Sequence, residues 1–175
     1  MKTHTFARVG AVIAAVAVTS ACASLGGTAP KAEAQLQSKS GSNATGTLAL
    51  QQKADGVLIT GEVRGLAPAS NHGFHVHEKG DCSAADASSA GPHFNPTGSP
   101  HGQMGSGAHH GGDMPNIVAD KHGVAQVKVL VPGVTLEAGP SSITGRAVVV
   151  HRDPDDYSTQ PAGNAGPRIA CGVIE

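Results

Sequence analysis

Two histidines spaced two residues apart, His75 and His77, are the first residues whose type and spacing could bind a metal. They lie in the run GFHVHEKGDC, whose alternation predicts a β-strand. In a strand, residues i and i+2 point to the same face, about 6.6 Å apart along the chain. Two imidazoles so placed can bind one ion, while Val76 faces a core on the other side. Taken alone, the pair fits two surface histidines equally well.

A long segment without regular pattern, residues 80–115, carries most of the other candidate ligands. These are His93, His101, His109, His110 and Asp113. A segment of this length inside a domain is usually functional or disordered. Imidazole and carboxylate together suit Zn²⁺, and binding would itself order the segment. The alternative is a disordered Gly/His segment with adventitious metal affinity. The histidines beside Pro and Gly, and the three-residue spacing from His110 to Asp113, argue against that alternative.

One more imidazole, His151, ends the valine-rich run RAVVVH. A histidine at the end of a strand is usually an ordinary polar residue. Together with His75 and His77, it would complete a nitrogen-only site at strand ends. Imidazole ligation of that kind suits copper, whereas the set that includes a carboxylate suits zinc.

Seven short runs rich in Val, Ile and Thr predict the strands that would position these ligands. They are residues 45–51, 56–64, 73–78, 116–119, 124–131, 146–151 and 170–174. Helical periodicity is absent from the body of the chain, and its valines at 127, 129 and 131 alternate with other residues, as in a half-buried strand. Many short strands between Gly- and Pro-rich turns predict an all-β sandwich or barrel.

The N-terminal residues 1–22 are typical of an export signal. Lys2 and Arg8 flank the start of the segment, and ten residues of apolar character follow at 9–18. Ten residues are too few to span a bilayer, which takes about 20. The pattern therefore predicts a signal peptide and an exported protein, in the periplasm or the cell envelope.

Two modes of processing fit the end of this signal. Ser20-Ala21-Cys22 resembles the lipobox of bacterial lipoproteins, which would lipidate Cys22 and anchor the protein to a membrane. Thr19, at a position where that motif usually has Leu, weakens the match. Cleavage around Ala21-Cys22-Ala23 by an ordinary signal peptidase, which would release a soluble protein, is the alternative.

Residues 23–42 predict a flexible tether, and residues 43–175 predict a single domain. The tether contains Gly, Ala, Ser, Lys and Gln without an apolar period, so nothing would offset the entropy cost of ordering it. The remaining length fits one domain with one core. From residue 43 onward, 8 Lys and Arg stand against 12 Asp and Glu, a formal charge of −4. The chain has no basic run that would suit nucleic acid.

Cys82 and Cys171 are left as one pair once Cys22 is lipidated or removed. In an oxidising compartment, such a pair predicts a disulfide, although two buried free thiols are the alternative. On the loop-entropy model, a bridge across this separation stabilises a fold by about 4.5 kcal/mol.

The motifs resemble those of copper/zinc superoxide dismutase of the secreted bacterial type, in the same order. The matching runs are GFHVHEKGDC, SAGPHFNP, PHG, HHGGDMPN, VVVHRDPDD and GNAGPRIACGVI. The resemblance covers nearly all of residues 43–175. It implies an eight-stranded Greek-key β-barrel, similar to an Ig-like sandwich, with two long functional loops. It also implies an oxidoreductase that converts superoxide to dioxygen and hydrogen peroxide by a copper redox cycle, with zinc structural.

The resemblance implies two ligand sets that share one histidine. The copper ligands would be His75, His77, His93 and His151. The zinc ligands would be His93, His101, His110 and Asp113. His93 would then bridge the two ions as an imidazolate and supply a proton to the reaction.

Three other histidines of the domain at residues 43–175 fall outside these sets. The family's His-x-Gly-Asp spacing selects His110 and leaves out His109. His72 and His122 are expected to be strand-edge or turn residues.

Residues near the C-terminus would support the two sites. Asp155 matches the carboxylate that orients ligands of both sites, with Asp156 as the possible misassignment. Arg168 matches the catalytic arginine beside the copper channel, where its charge would attract superoxide. The loop after His151 lacks the lysines that guide substrate in the eukaryotic branch, and Lys79 or Arg152 would have to take that role.

Two other functions compete with this interpretation. A periplasmic copper/zinc-binding or storage protein could use the same scaffold, but copper carriers favour Cys and Met ligands, and Met104 and Met114 are isolated. A zinc hydrolase needs an open position on the ion, whereas three histidines and an aspartate form a closed set. The sequence favours neither a monomer nor a homodimer.

Overall fold

The computed structural model describes residues 1–2 and 29–175 of the chain. The predicted signal peptide, apart from its first two residues, and the predicted lipidation site Cys22 lie outside the described residues. Within the part that is described, no helix is both long enough and apolar enough to cross a lipid bilayer.

The described chain folds into short β-strands joined by turns and two long loops. The strands are β1 (Lys31–Ser38), β2 (Thr45–Lys53), β3 (Gly56–Arg64), β4 (Asn71–His72), β5 (Phe74–His77), β6 (Ile117–Val118), β7 (Ala125–Pro132), β8 (Ala147–His151) and β9 (Arg168–Val173). A short 3₁₀ helix, Ser88–Ala90, lies in the loop after β5. Each of the seven predicted runs overlaps an observed strand, so those predictions are confirmed.

The strands form a closed antiparallel barrel. Seven of them make one sheet in the order β5-β8-β9-β1-β2-β3-β7, and β4 pairs with β6. An isolated bridge between Ala119 and Ala125 connects β6 to β7, and β4 runs into β5 at Gly73. Counting β4 and β5 as one strand gives eight strands in a ring. The connection from β3 to β4 passes β7 and β6, which is a Greek-key crossover, so the predicted fold is confirmed.

Alternating small and β-branched side chains fill the barrel. In β7, Ala125, Val127 and Val131 are buried, whereas Gln126 and Lys128 between them are exposed. This is the period of two expected for a strand with one solvated face. The core can therefore close without a single tryptophan in the sequence.

Strand β8 is buried on both faces, and a disulfide explains the second one. Its outward residues Ala147 and Val149 pack against Ala87, Ala90 and the half-cystines in a small separate cluster. The Cys82–Cys171 disulfide is present, with its Cα atoms 5.8 Å apart, and it holds the start of the loop against β9. The disulfide prediction is confirmed.

Strand β1 corrects the predicted tether. Residues 31–36 pair with β2 on one side, residues 37 and 38 pair with β9 on the other, and Ala34 and Leu36 are buried in the core. The prediction of a flexible segment is therefore wrong for residues 31–38. Alanine buries little apolar area, so the alternation was weak in the sequence. Hydrogen-bonded ladders to two neighbouring strands provide the stabilisation that local composition does not.

Candidate metal centre

The barrel presents three of the predicted ligands on two neighbouring strands. His75 and His77 lie on β5, and His151 ends the adjacent strand β8, where the pairing register shifts by a bulge. Phe74 and Val76 point into the core, so the two β5 histidines point outward. They are nevertheless fully buried, because the long loops cover this face.

Backbone pairing brings the loop ligands to the edge of β5. Val76 donates a backbone hydrogen bond of 2.9 Å to the Gly112 carbonyl, and Phe94 donates one of 2.8 Å to the Val76 carbonyl. The pairing places His93 opposite His77. A Cβ atom on Gly112 would lie 2.1 Å from the Val76 carbonyl oxygen, so only glycine allows this approach. This explains the second glycine of the HHGGD run.

The first cluster consists of the four histidines His75, His77, His93 and His151. One nitrogen from each lies within 4.8 Å of the others, and all four side chains are buried. Nε2 of His77 and Nε2 of His151 are 3.3 Å apart. Nδ1 of His75 and Nε2 of His93 are buried without a hydrogen-bond partner. Such atoms are costly unless something binds them, so the cluster fits a metal ion that prefers imidazole.

The outer nitrogens of these rings are held by hydrogen bonds that fix the inner nitrogens as acceptors. The three bonds are His75 Nε2 to Asp155 Oδ2 at 2.8 Å, His77 Nδ1 to the Gly91 carbonyl at 2.8 Å, and His151 Nδ1 to the Gly166 carbonyl at 3.2 Å. An acceptor facing the outer nitrogen keeps the proton there. The inner nitrogen of each ring is then free to donate its lone pair to an ion.

Burial keeps the same rings neutral. It lowers the pKa of His75 and His77 well below 6.5, and the neighbouring His93 and His151 lower it further. Burial also lowers the pKa of His151 to about 4, despite the opposing hydrogen bond to Gly166. Neutral imidazole is the form that binds metals, so the cluster is ready for an ion at neutral pH.

The second cluster converges on one carboxylate oxygen. Oδ1 of Asp113 lies 2.8 Å from His93 Nδ1, 3.1 Å from His101 Nδ1 and 3.2 Å from His110 Nδ1. Ligands of a tetrahedral zinc ion with bonds of about 2.0 Å would be about 3.3 Å apart. Nδ1 of His101 is also buried without a hydrogen-bond partner. The spacing and the donor types fit zinc.

Asp113 is held as a carboxylate by the surrounding loop. Burial opposes its ionisation, but hydrogen bonds from His93 and from the backbone N–H groups of His110 and Gly102 lower its pKa well below its usual value. The two backbone bonds reach Oδ2 at 2.8 and 3.1 Å. Oδ1 therefore faces the three imidazoles with its charge in place.

A single side chain belongs to both clusters. His93 directs Nδ1 towards Asp113 in the second cluster, while its Nε2 faces the first. The ring centroid lies 4.0 Å from that of His75 and 5.4 Å from that of His101. This is the residue for which a bridging role was expected.

A carboxylate behind the rings links the two clusters a second time. Asp155 is buried, with Oδ2 2.8 Å from His75 Nε2 and Oδ1 2.9 Å from His101 Nε2. Tyr157 donates its backbone N–H to Oδ1 at 2.7 Å, and the Asn116 side chain pairs with the Asp155 backbone at 2.8 and 2.9 Å. The carboxylate thus orients one ring from each cluster.

The neighbouring acid, Asp156, has no part in this network. It is exposed, and hydrogen bonds from Thr159 and Ser158 lower its pKa to about 2. It stabilises a surface turn of the loop.

Arg168 stands beside the first cluster at the wall of a cleft. The cleft has a volume of about 660 Å³ and is lined by His77, His93 and His151 among others. Arg168 is half-buried and donates hydrogen bonds of 2.6 Å to the Ala87 carbonyl and 2.7 Å to the Gly91 carbonyl. Burial lowers its pKa, but a guanidinium keeps its charge in proteins.

Among the described residues, the three histidines left out of the two sets have different surroundings. His122 is exposed in a turn, and half-buried His109 donates Nδ1–H to the His110 carbonyl at 2.7 Å. His72 is buried, and its Nδ1–H donates to the His151 carbonyl at 2.8 Å. His72 therefore supports the bulge that carries His151. The sequence pattern predicts only a strand-edge or turn position for His72.

Gln160 is a second residue that sequence reasoning missed. Its carboxamide pairs with both backbone groups of His101: Nε2 donates to the carbonyl at 2.8 Å, and Oε1 accepts from the N–H at 2.9 Å. The loop between β8 and β9 is thereby tied to the second cluster. No motif signals this contact, because the two residues are distant in sequence.

The fold and the site together define a Greek-key barrel with two adjoining clusters of side chains suited to bind metal ions, and the comparisons agree. Residues 44–174 match the family described as copper/zinc superoxide dismutase. Superoxide dismutase (Cu-Zn) 2 of Aquifex aeolicus strain VF5 is 45% identical over 148 residues, 82% of this chain and 86% of that protein. Superoxide dismutase (Cu-Zn) 1 of the same organism is 46% identical over 134 residues, 74% and 79% of the two chains. The protein belongs to the copper/zinc superoxide dismutase family, a family of oxidoreductases.

Solved structures share the fold. A superoxide-dismutase-like protein from Bacillus subtilis matches with a TM-score of 0.73 and 34% identity, over 80% of this chain and 95% of that one. A double mutant of such a protein from Bacillus subtilis, with a tyrosine and a proline each replaced by histidine, matches with a TM-score of 0.73 and 36% identity, over 80% of this chain and 94% of that one. The clock protein EA4 matches with a TM-score of 0.75 and 40% identity, over 85% of this chain and 95% of that one. A shared fold does not by itself establish a shared reaction, which depends on the residues of the site.

Proposed function

We propose that this protein dismutates superoxide: two superoxide ions and two protons give one dioxygen and one hydrogen peroxide. The observation that carries the proposal is the pair of buried clusters that share His93, in a chain of this family. One cluster offers only imidazole nitrogens, and the other adds a carboxylate. This difference in donors suits two different ions.

The two ions are assigned by the donor chemistry. Copper would be held by His75, His77, His93 and His151, and zinc would be held by His93, His101, His110 and Asp113. When bound, copper supplies the reversible one-electron change that oxidises one superoxide and reduces the next, whereas zinc has no redox change. Asp155 accepts a hydrogen bond from Nε2–H of His75 and another from Nε2–H of His101, and these two bonds fix the relative positions of the two sites.

His93 is the proposed bridging residue and proton carrier. Its Nδ1 belongs to the zinc set and its Nε2 to the copper set, and a cation on each side favours loss of both ring protons. Nε2 of His93 would hold and deliver one of the two protons that the forming peroxide takes up, and solvent would supply the other. The ring thus acts as a general acid held at the reacting centre, while Nδ1 stays fixed.

Arg168 is the proposed catalytic arginine. With β1 included, the domain from residue 31 carries 10 Lys and Arg against 13 Asp and Glu, a formal charge of −3, so the protein as a whole does not attract an anion. A guanidinium on the cleft wall provides local attraction and holds superoxide beside the copper set. Hydrogen bonds to two carbonyls keep it in place.

We also propose that the protein acts outside the cytoplasm, in the periplasm or cell envelope. The signal-like residues 1–22 and the Cys82–Cys171 disulfide support this location. A lipid anchor through Cys22 and a monomeric or homodimeric state are further predictions. Mass spectrometry of the mature N-terminus tests the anchor, and sedimentation tests the subunit number.

The activity is tested by pulse radiolysis of superoxide with defined metal content. The copper/zinc-loaded protein is expected to accelerate superoxide decay without being consumed, and the zinc-only form is expected to leave the uncatalysed rate unchanged. If the copper-loaded protein also left that rate unchanged, a metal-storage role on the same scaffold would be the better explanation.

A further inference from the structure

The cleft above the copper set contains a second arginine that the proposed reaction has not used. Arg146 lines it together with Arg168, and the remaining charged side chain among the lining residues is Glu78. Sequence reasoning did not single out Arg146, because it begins a valine-rich strand and resembles an ordinary strand-end residue. The barrel brings it to the same opening as the copper set.

Contacts on three sides fix the guanidinium of Arg146. Its Cζ lies 3.7 Å from the centre of the Phe94 ring, which directly follows His93 in the chain. Nε donates to the Ser142 carbonyl at 2.6 Å, and Nη1 donates to the Glu78 carbonyl at 2.6 Å. A cation over an aromatic face is held in a defined position. The charge at the cleft is therefore fixed in place and not carried on a mobile side chain.

The two cations expected to guide substrate do not occupy the cleft wall. Neither Lys79 nor Arg152 is among the residues that line the cleft. Arg152 is exposed and lies 3.4 Å from the carboxylate of Asp153, which offsets its charge. Lys79 is exposed as well. Within the described residues, the positive charge at the opening comes from Arg168 and Arg146.

We propose that Arg146 is the second cation that draws small anions into the cleft. For superoxide as the anion, this inference rests on the proposed function. Two fixed guanidinium groups outweigh the single carboxylate of Glu78 at an opening in a protein whose net charge is negative. Such local fields raise the rate of encounter with charged substrates and weaken as salt is added. Arg168 holds the anion near the copper set, and Arg146 increases how often it arrives.

The test separates the charge of Arg146 from its hydrogen bonds. Arg146→Gln removes the charge, and Arg146→Lys keeps the charge but loses the fork of donors. Arg64→Gln removes an exposed charge that lies outside the cleft lining and serves as the matched control. The rate constant for superoxide decay is measured by pulse radiolysis on fully metallated proteins, from about 0.01 M to about 1 M ionic strength.

At low ionic strength, the rate constant of Arg146→Gln is expected to be about threefold lower than that of the wild type. The rate constants of Arg146→Lys and Arg64→Gln should stay close to the wild-type value. The difference should disappear at high salt. The proposal is wrong if Arg146→Gln keeps the wild-type rate and salt dependence. It is also wrong if the Gln and Lys variants slow equally at every ionic strength, because packing around Phe94 and Ser142 would then be the cause.

Azide binding tests Arg146 without the reaction. Azide affinity of the copper-loaded proteins is measured by absorption titration at low and high salt. We expect Arg146→Gln to weaken azide binding about threefold at low salt only, while Arg146→Lys binds as the wild type does. Equal affinity in all variants contradicts the proposal. If the wild type failed to remove superoxide, the proposed function would fail, whereas the azide result would still decide the role of Arg146.

Discussion

The guanidinium of Arg168 donates a hydrogen bond of 2.7 Å to the carbonyl oxygen of Gly91. The same oxygen accepts the Nδ1–H of His77 at 2.8 Å. The Gly91 carbonyl oxygen thus positions both Arg168 and His77, a histidine of the proposed copper set. That loop is held against β9 by the Cys82–Cys171 disulfide.

Substitution of Arg168 should impair the reaction without loss of metal. In Arg168→Gln the charge is gone, and we expect the rate constant for superoxide decay to fall about tenfold at low salt. Arg168→Lys keeps the charge but lacks the two separate nitrogens that donate to the carbonyls of Ala87 and Gly91, so an intermediate loss is expected. Pulse radiolysis and metal analysis measure the two effects. A wild-type rate in Arg168→Gln would show that this charge does not act on the substrate.

Substitution of Asp155 should weaken both metal sites together. Asp155→Asn cannot accept a hydrogen bond from His75 and from His101 with both of its terminal atoms. Loss of such a contact typically costs 10- to 100-fold in metal affinity, and we expect about that loss for copper and for zinc. Competition with chelators measures both. Asp156→Asn, at the exposed neighbour, is the control, and equal affinities in the two variants would exclude the linking role.

Substitution of Gln160 should weaken the zinc site selectively. Gln160→Ala removes both hydrogen bonds to the His101 backbone but leaves the copper set untouched. We expect about a tenfold loss of zinc affinity, measured by chelator competition, with copper affinity unchanged. Gln126→Ala is the matched control, because that exposed side chain donates to Glu62 and lies outside the loop between β8 and β9. Loss of both affinities to the same extent would indicate general unfolding of the loop.

The metal-free protein should lose stability as the pH falls below about 6.5. The folded state lowers the pKa of His75, His77 and His151, the last to about 4. Below about pH 6.5 the unfolded chain therefore binds protons that the folded chain does not. Each histidine then costs about 1.4 kcal/mol of unfolding free energy per pH unit, until the pH falls through its folded pKa.

Urea denaturation of the metal-free protein at pH 7.5 and pH 5 measures this loss. The metal-loaded protein should be less affected in that interval, because bound ions hold the rings unprotonated. Equal unfolding free energies of the metal-free protein at the two pH values would show that the rings are not kept neutral by burial.

Much of the fold was predictable from the sequence because valine-rich alternation marks most strands directly. Strand β1 was not, since Ala34 and Leu36 are stabilised by pairing on both sides and not by local composition. A ladder between distant segments leaves no local pattern. The domain therefore begins at β1, earlier in the chain than the predicted start at residue 43.

The candidate ligands were predictable because imidazoles at fixed spacings carry a strong signal, strengthened by the family resemblance. The residues that support them were not. His72, Gln160 and Arg146 act through contacts with residues far away in sequence, so their roles depend on the closure of the barrel. Their residue types alone are compatible with an ordinary surface.

A crystal structure of the copper- and zinc-loaded protein tests most directly whether the imidazole of His93 binds both ions. Anomalous scattering at the two absorption edges identifies each ion. For the state with oxidised copper, we expect Nε2 of His93 at about 2.0 Å from copper and Nδ1 at about 2.0 Å from zinc. A structure with both ions present, in which either nitrogen of His93 lay beyond bonding distance of its ion, would contradict the account.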